Sequence, residues 1–232
     1  MSRRTLAFVV FALALAAGCV RLGVWQLARL DERRARNALV AARLAAPATG
    51  WGEAVRDTAQ ARYRRVALQG RYDHAREVVH TSRVRDGAPG VHVLTPLHLA
   101  DGTIVLVNRG WVYAADGMTV DLALWPEGDD AVVEGFLEAY VHAPGAVATP
   151  SQPRGVRVLD RDSLQARIGT ALAPFVVVQQ RPDARPDSVG RLLRVPPPAL
   201  GEGSHRSYAI QWFAFAAIAV LGVLAVVVRR AP

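Results

Sequence analysis

The chain has 232 residues, 51% of them hydrophobic, a formal charge of +8 and a single cysteine, Cys19. All 28 basic residues are arginine, scattered rather than clustered with stacking aromatics, which argues against a nucleic-acid binder and for a positively biased solvated surface, with an anionic partner or anionic lipid left open. One cysteine excludes an internal disulfide and a thiolate metal cluster.

The first predicted element is an apolar helix. Residues 5–20 follow the pair Arg3-Arg4, and apolar character continues past Arg21 through Leu22-Gly23-Val24-Trp25 to Leu27. About 20 such residues cross a bilayer's hydrocarbon layer as a helix, so 5–27 reads as a first membrane span. Leu15-Ala16-Ala17-Gly18-Cys19 also resembles a lipoprotein signal, in which the segment would be cleaved and Cys19 lipidated. Ala16 stands where such signals carry a larger aliphatic residue, and the apolar run does not stop at the cysteine. A retained, unlipidated helix is therefore expected.

Residues 31–46 are rich in helix formers, with Pro47 and Gly50 closing them, and this stretch is read as an outward continuation of the first helix within a juxtamembrane region, 28–50. From Arg62 the period changes. Segments near 63–68, 77–83, 91–99 and 103–112 are apolar and β-branched, separated by Gly70, Asp86-Gly87, Pro89-Gly90 and Asp101-Gly102. Asp101-Gly102 is the sharpest hairpin signal. Further strands are predicted at 131–139 and 175–180, and a short helix at 160–168 capped by Asp160 or Asp162. Pro182, Pro186 and Pro196-Pro197-Pro198 make a stiff return. The second span, 205–228, ends at Arg229-Arg230.

Arginine pairs beside short tails favour the cytoplasmic side, so both termini are expected inside and the stretch between them outside. The expected fold is an integral membrane protein. Two transmembrane α-helices, one at each end, bracket a mainly antiparallel β, α+β outer domain over 51–200, for which a small barrel is one form.

Catalytic constellations are thin. Histidines 74, 80, 92, 98, 142 and 205 show no zinc pairing, and His92 and His98 would sit roughly 20 Å apart along a strand. Ser82, Ser151 and Ser163 lack a nucleophile-elbow setting, and no glycine-rich phosphate cradle appears. No enzyme is expected.

The helix ends are more informative. Helical spacing places His205, Tyr208, Trp212, Ala216 and Ala219 on one stripe, aromatic at its head and small-sided below, where a helix or a flat ligand could approach. His205 falls in the first turn, where the helix dipole disfavours imidazolium, and the neutral imidazole is the form that ligates metal. On the first helix Gly18, Arg21, Trp25 and Arg29 share a face, and arginines there suit carboxylates. The plainer alternatives are interfacial aromatics, a snorkelling Arg21 and a solvated helix end at His205.

Five ordered blocks resemble the surfeit-locus (Surf/Shy) family of cytochrome c oxidase assembly factors. They are Leu22-Gly23-Val24-Trp25-Gln26-Leu27-Ala28-Arg29, Tyr63 through Tyr72, Gly90-Val91-His92-Val93-Leu94-Thr95-Pro96-Leu97, Val105-Leu106-Val107-Asn108-Arg109-Gly110-Trp111-Val112, and His205 with Tyr208-Ala209 and Gln211-Trp212-Phe213. The resemblance covers nearly the whole chain. It implies a factor that helps place haem a in the catalytic subunit of a haem–copper terminal oxidase, with haem a synthase as a further partner and the lipid bilayer as its setting. His205 matches the family's histidine at the last helix and is the implied iron ligand. With it, Tyr208 and Trp212 would wall the porphyrin, Trp25 would contribute packing, and Arg21, Arg29 or Arg206 would meet its propionates. Two departures stand out: Gly203 where an asparagine often lies two residues before that histidine, and no aromatic in 154–161. A bacterial inner membrane is expected over a mitochondrial one. A cofactor-free scaffold docking an oxidase subunit is the alternative, and an anchored envelope enzyme a third. Gly70, Gly90 and Gly110 are read as strand ends or bulges. Trp111 is read as core, and Arg109 as either an internal ion pair or a partner contact.

Overall fold

The computed structural model describes residues 2–125, 127–143, 152–180 and 192–229; Ser151, Pro182, Pro186 and Arg230, singled out above, lie outside the described residues. In chain order the elements are α1 (Arg3–Ala45), α2 (Trp51–Ala54), α3 (Thr58–Ala61), β1 (Arg65–Tyr72), β2 (Val78–Arg85), β3 (Ala88–Leu99), β4 (Ile104–Tyr113), β5 (Asp130–Ala139), β6 (Gly155–Val156), α4 (Arg161–Ile168), β7 (Phe175–Gln179) and α5 (His205–Val228). Single 3-10 turns lie at His74–Arg76 and Leu122–Leu124. The chain forms two compact units, Met1–Ala41 with Ala199–Pro232, and Ala42–Pro198.

The first unit is a helix pair. Both α1 and α5 are long and apolar enough to cross a membrane, and their most apolar windows are only 22% and 11% buried within the protein. The 43 residues of α1 run unbroken through the segment read as juxtamembrane, because nothing between Arg29 and Ala45 is a breaker. Buried positions on α1 include Ala12, Ala16, Cys19, Gly23 and Leu30, and those on α5 are Ala209, Ala216 and Val223. Both sets follow a seven-residue spacing, the signature of two helices packed along a narrow seam. Ala16, Cys19 and Ala216 form its centre, flanked by Trp212 and Ala219. At Gly23 an added Cβ would stand 2.7 Å from the Phe213 ring, so the absent side chain is what lets that ring lie against α1. Partners on α5 rise in number as those on α1 fall, so the pair is antiparallel.

The second unit is a mixed sheet in the order β1-β5-β7-β4-β3-β2-β6, parallel at β4–β7 and β2–β6 and antiparallel elsewhere. β1 also pairs with β3 through Gly70↔Leu99, Arg71↔His98 and Tyr72↔Leu97, so the pairings run in a circuit β1-β5-β7-β4-β3-β1. One core holds Val66, Leu68, Leu97, Val105, Val107, Val133, Leu137 and Val177. A second packs Leu164 and Ile168 of α4 against Val78, Leu94, Leu106 and Val176. Eight consecutive buried residues in β4, Asn108 and Arg109 among them, show why its sequence does not alternate between apolar and polar positions.

Turn chemistry holds where the backbone needs it. Asp86 (φ 50°) and Gly87 (φ 82°) make the two-residue β2–β3 hairpin, both in the left-handed region that such turns require. Gly102 (φ 83°) and the Asp101 carboxylate, which accepts from Thr103 N at 2.9 Å, make the β3–β4 hairpin. Asp160 caps α4 by accepting from Ser163 N at 3.0 Å. Gly70 and Pro89-Gly90, read as separators, are corrected: they lie inside β1 and β3. A side chain at Gly70 would strike the carbonyl of His98, and one at Gly90 the indole of Trp111, so both glycines serve close approach within the sheet.

Candidate functional site

The head of the helix pair is assembled from α1's polar end. Arg34 grips Glu202 through two bonds of 2.7 and 3.1 Å, and this partnership holds the Glu202 carboxyl below its usual pKa. Arg33 Nε donates to the Gly201 carbonyl at 2.8 Å, and Asn37 Nδ2 to the Leu200 carbonyl at 3.0 Å. Residues 200–202 are thereby fixed along one turn of α1. The chain then reverses at Gly203, whose φ of +73° is a conformation that glycine and asparagine adopt most readily. The departure from asparagine at this position therefore keeps the backbone geometry. Ser204 precedes α5 without a side-chain cap, and His205 is its first residue.

His205 Nδ1 lies 2.9 Å from Gln26 Oε1. An amide oxygen only accepts, so Nδ1 carries the proton and, in the neutral ring, Nε2 carries the lone pair. Among the described residues no group is hydrogen-bonded to Nε2. A half-buried imidazole with one nitrogen anchored and the other bare is the donor chemistry that a haem iron takes, so the residues present fit that group.

The other expected site residues divide into two sets. Trp212 lies beside the seam with Ala216 and Ala219, on the same side of α5 as His205. Tyr208 is 47% exposed at the flank of that seam. Arg21, Trp25 and Arg29 share a face of α1, but it is the side turned away from the buried seam residues: all three are exposed. Arg29 sits 5.6 Å above the Trp25 ring and pairs with Glu32 at 2.7 Å. The structure thus brings His205 together with Gln26, places Trp212 two turns further along the same stripe of α5, and sets Arg21, Trp25 and Arg29 on the opposite face of α1. Arg206 is exposed at the start of α5. Gln26 was not among the residues singled out. Its signal is positional: Cys19, Gly23, Gln26 and Leu30 follow steps of four, three and four, so a polar group sits on the packed face.

The sheet domain uses its polar groups internally. Arg109 is 1% exposed. It donates to Glu77, to Thr95 Oγ1 at 3.2 Å, to Glu127 at 3.2 Å and to the Trp125 carbonyl at 2.9 Å, and lies 5.5 Å from the centre of the Tyr72 ring. A β-bulge explains its direction. Val93 pairs with Gly110 and Leu94 with Asn108, leaving Arg109 as the extra residue, turned inward. Of the two roles left open for Arg109, the structure shows the internal ion pair. Trp111 is buried, its indole nitrogen donating to the Arg83 carbonyl at 3.0 Å.

His80 and His92 face each other on β2 and β3, ring centres 6.0 Å apart. Burial pushes His80 down to about 4 and His92 to about 3, the second further lowered by its proximity to His80. Both are neutral imidazoles at physiological pH. His80 Nε2 donates to the Arg157 carbonyl at 3.2 Å, and Asn108 Nδ2 donates to His92 Nδ1 at 3.1 Å. Among the described residues no group of three or more His, Cys, Asp or Glu side chains could hold a metal ion.

The SURF1 family model matches residues 13–217. A SURF1-like protein of Drosophila melanogaster is 29% identical over an alignment of 243 residues, covering 96% of this chain and 78% of its own. A SURF1-like protein of Monosiga brevicollis is 34% identical over 102 residues, 39% of each chain. One of Dictyostelium discoideum is 40% identical over 60 residues, 26% of this chain and 22% of the relative. In the last two, the match spans well under two thirds of the relative's own length.

Proposed function

The chain belongs to the SURF1 family, generally assembly factors of cytochrome oxidase, and from that premise we propose that it binds haem a and assists its placement in the catalytic subunit of a haem–copper terminal oxidase. Haem a is the cargo here; it brings the redox iron, and the protein's part is to hold and present it. His205 would ligate the iron through Nε2, with Trp212 against the ring. The observation that carries this reading is the His205–Gln26 contact, which holds the imidazole through Nδ1 while no group among the described residues is hydrogen-bonded to Nε2.

The setting we propose is a bacterial inner membrane. The two apolar helices cross it as an antiparallel pair, so both termini lie on one side, and the arginines flanking them favour the cytoplasm. His205 then lies at the outer end of its span. The circuit of strand pairings supports reading the intervening sheet as a small barrel on the outer side.

The test is spectroscopic. Protein co-expressed with haem a synthesis and purified in detergent should carry a haem a spectrum. His205→Ala should abolish or shift that spectrum while the protein still inserts and accumulates. An unchanged spectrum and full oxidase maturation would make His205 a helix-end residue and favour the cofactor-free docking scaffold.

A further inference from the structure

We infer that Gln26 is the positioning residue of the proposed haem site: its amide oxygen fixes the tautomer and orientation of His205, an inference that rests on the haem-ligand reading above. Three observations converge on this pair. Gln26 Oε1 accepts from His205 Nδ1 at 2.9 Å across the helix seam. One turn deeper, Gly23 brings the Phe213 ring against α1 and sets the helix separation at that level. On the other side, Arg33, Arg34 and Asn37 tie residues 200–202 to α1 and fix where α5 begins. The imidazole is therefore held between two constraints, and among the described residues Gln26 is the group that chooses which nitrogen is protonated.

The chemistry gives this choice consequences. A neutral histidine side chain in water favours the proton on Nε2, the nitrogen that would have to be bare to meet an iron. A fixed acceptor at Nδ1 reverses the preference, orients the ring before ligand arrives and raises the basicity of Nε2. Gln26 does so without a charge, so no unpaired carboxylate is placed next to an apolar seam. Loss of such a partner typically weakens metal affinity by about 10–100-fold.

The experiment has two arms on the full chain in detergent. In the haem-free protein, side-chain 15N shifts of His205 should report the Nδ1–H tautomer. Gln26→Leu, whose apolar side chain suits the seam, should return it to Nε2–H, and Gln26→Glu, which keeps an acceptor oxygen, should retain Nδ1–H. In the haem-loaded protein, Gln26→Leu should raise the dissociation constant about 10–100-fold and shift the iron–imidazole stretching band, with Gln26→Glu restoring most of the affinity. A wild-type His205 tautomer that does not respond to Gln26→Leu overturns the positioning role, as does a Gln26→Leu protein with unchanged affinity and band. Retention of the haem spectrum in His205→Ala overturns the ligand reading instead, and the tautomer arm separates the two failures.

Discussion

Removing Arg109 should destabilise the sheet domain severely, and the reason can be worked from its neighbours. Glu77 is 5% exposed, and its Oε1 accepts from Arg109, from Thr95 Oγ1 at 2.7 Å and from His74 Nδ1 at 2.8 Å. Arg109→Met keeps much of the buried volume and removes the guanidinium, leaving the buried Glu77 carboxylate with Thr95 and His74 as its remaining partners. Breaking a buried pair in this way costs about 3–5 kcal/mol. For a domain of this size each kcal/mol moves the midpoint by about 2–4 °C, so a fall of roughly 6–20 °C is expected. Replacing both partners, Arg109→Met with Glu77→Leu, removes the stranded charge and should recover most of that loss. Near-ultraviolet circular dichroism of the detergent-solubilised chain, following the buried tryptophan, reads each midpoint. A fall of less than about 2 °C in the single variant, or a double variant less stable than the single, would refute the account of Glu77 as a buried charge dependent on Arg109.

Two further outcomes are expected. His80 and His92 have folded-state values of about 4 and about 3 against an ordinary 6.5, so the unfolded chain takes up protons first as pH falls; stability is full above about 6.5 and is lost progressively towards 4 and below. His80→Leu should make the melting midpoint less steeply dependent on pH between 7 and 4, and an unaltered slope would count against burial as the cause. Cys19 and Ala216 meet in the helix seam, so Ala216→Cys should give an intramolecular disulfide with Cys19 on mild oxidation. Its absence, with both thiols still free by mass, would contradict the antiparallel pairing.

The sequence was most legible where local rules act alone. The two apolar helices, the strand periods, the Asp101-Gly102 hairpin and the Asp160 cap are each written in a few neighbouring residues. Legibility failed where one residue answers to a distant one. Gly70 and Gly90 look like turn formers, yet each makes room for a group contributed by another strand: the His98 carbonyl and the Trp111 indole. Arg109 sits on a strand of apolar residues, and alternation cannot give its direction because a bulge resets the count at that position. The parallel pairing of β4 with β7 joins segments about 70 residues apart by strand numbering, beyond any local signal. At the helix head, spacing grouped Arg21 with Trp25 and Arg29 correctly on a shared face. What spacing on one helix cannot supply is which face the other helix takes, and the small residues at Ala12, Ala16, Cys19 and Gly23 decide that.

That last point also bears on where function lies. In the sheet domain the buried polar groups of the Asn108-Arg109-Gly110-Trp111 block are committed: Asn108 to His92 and the Gly110 amide, Arg109 to two carboxylates, and Trp111 to a carbonyl. A block so densely bonded to itself specifies a fold, and its resemblance across a family needs no ligand to account for it. The block at the start of α5 is different in kind. His205 is anchored through one nitrogen by a residue of another block, Gln26, and among the described residues no group is hydrogen-bonded to the second nitrogen. Two blocks far apart in sequence thus contribute to one geometry. For the haem role proposed above, this arrangement supplies a histidine held by an uncharged contact, on a helix pair whose seam is already closed by small side chains.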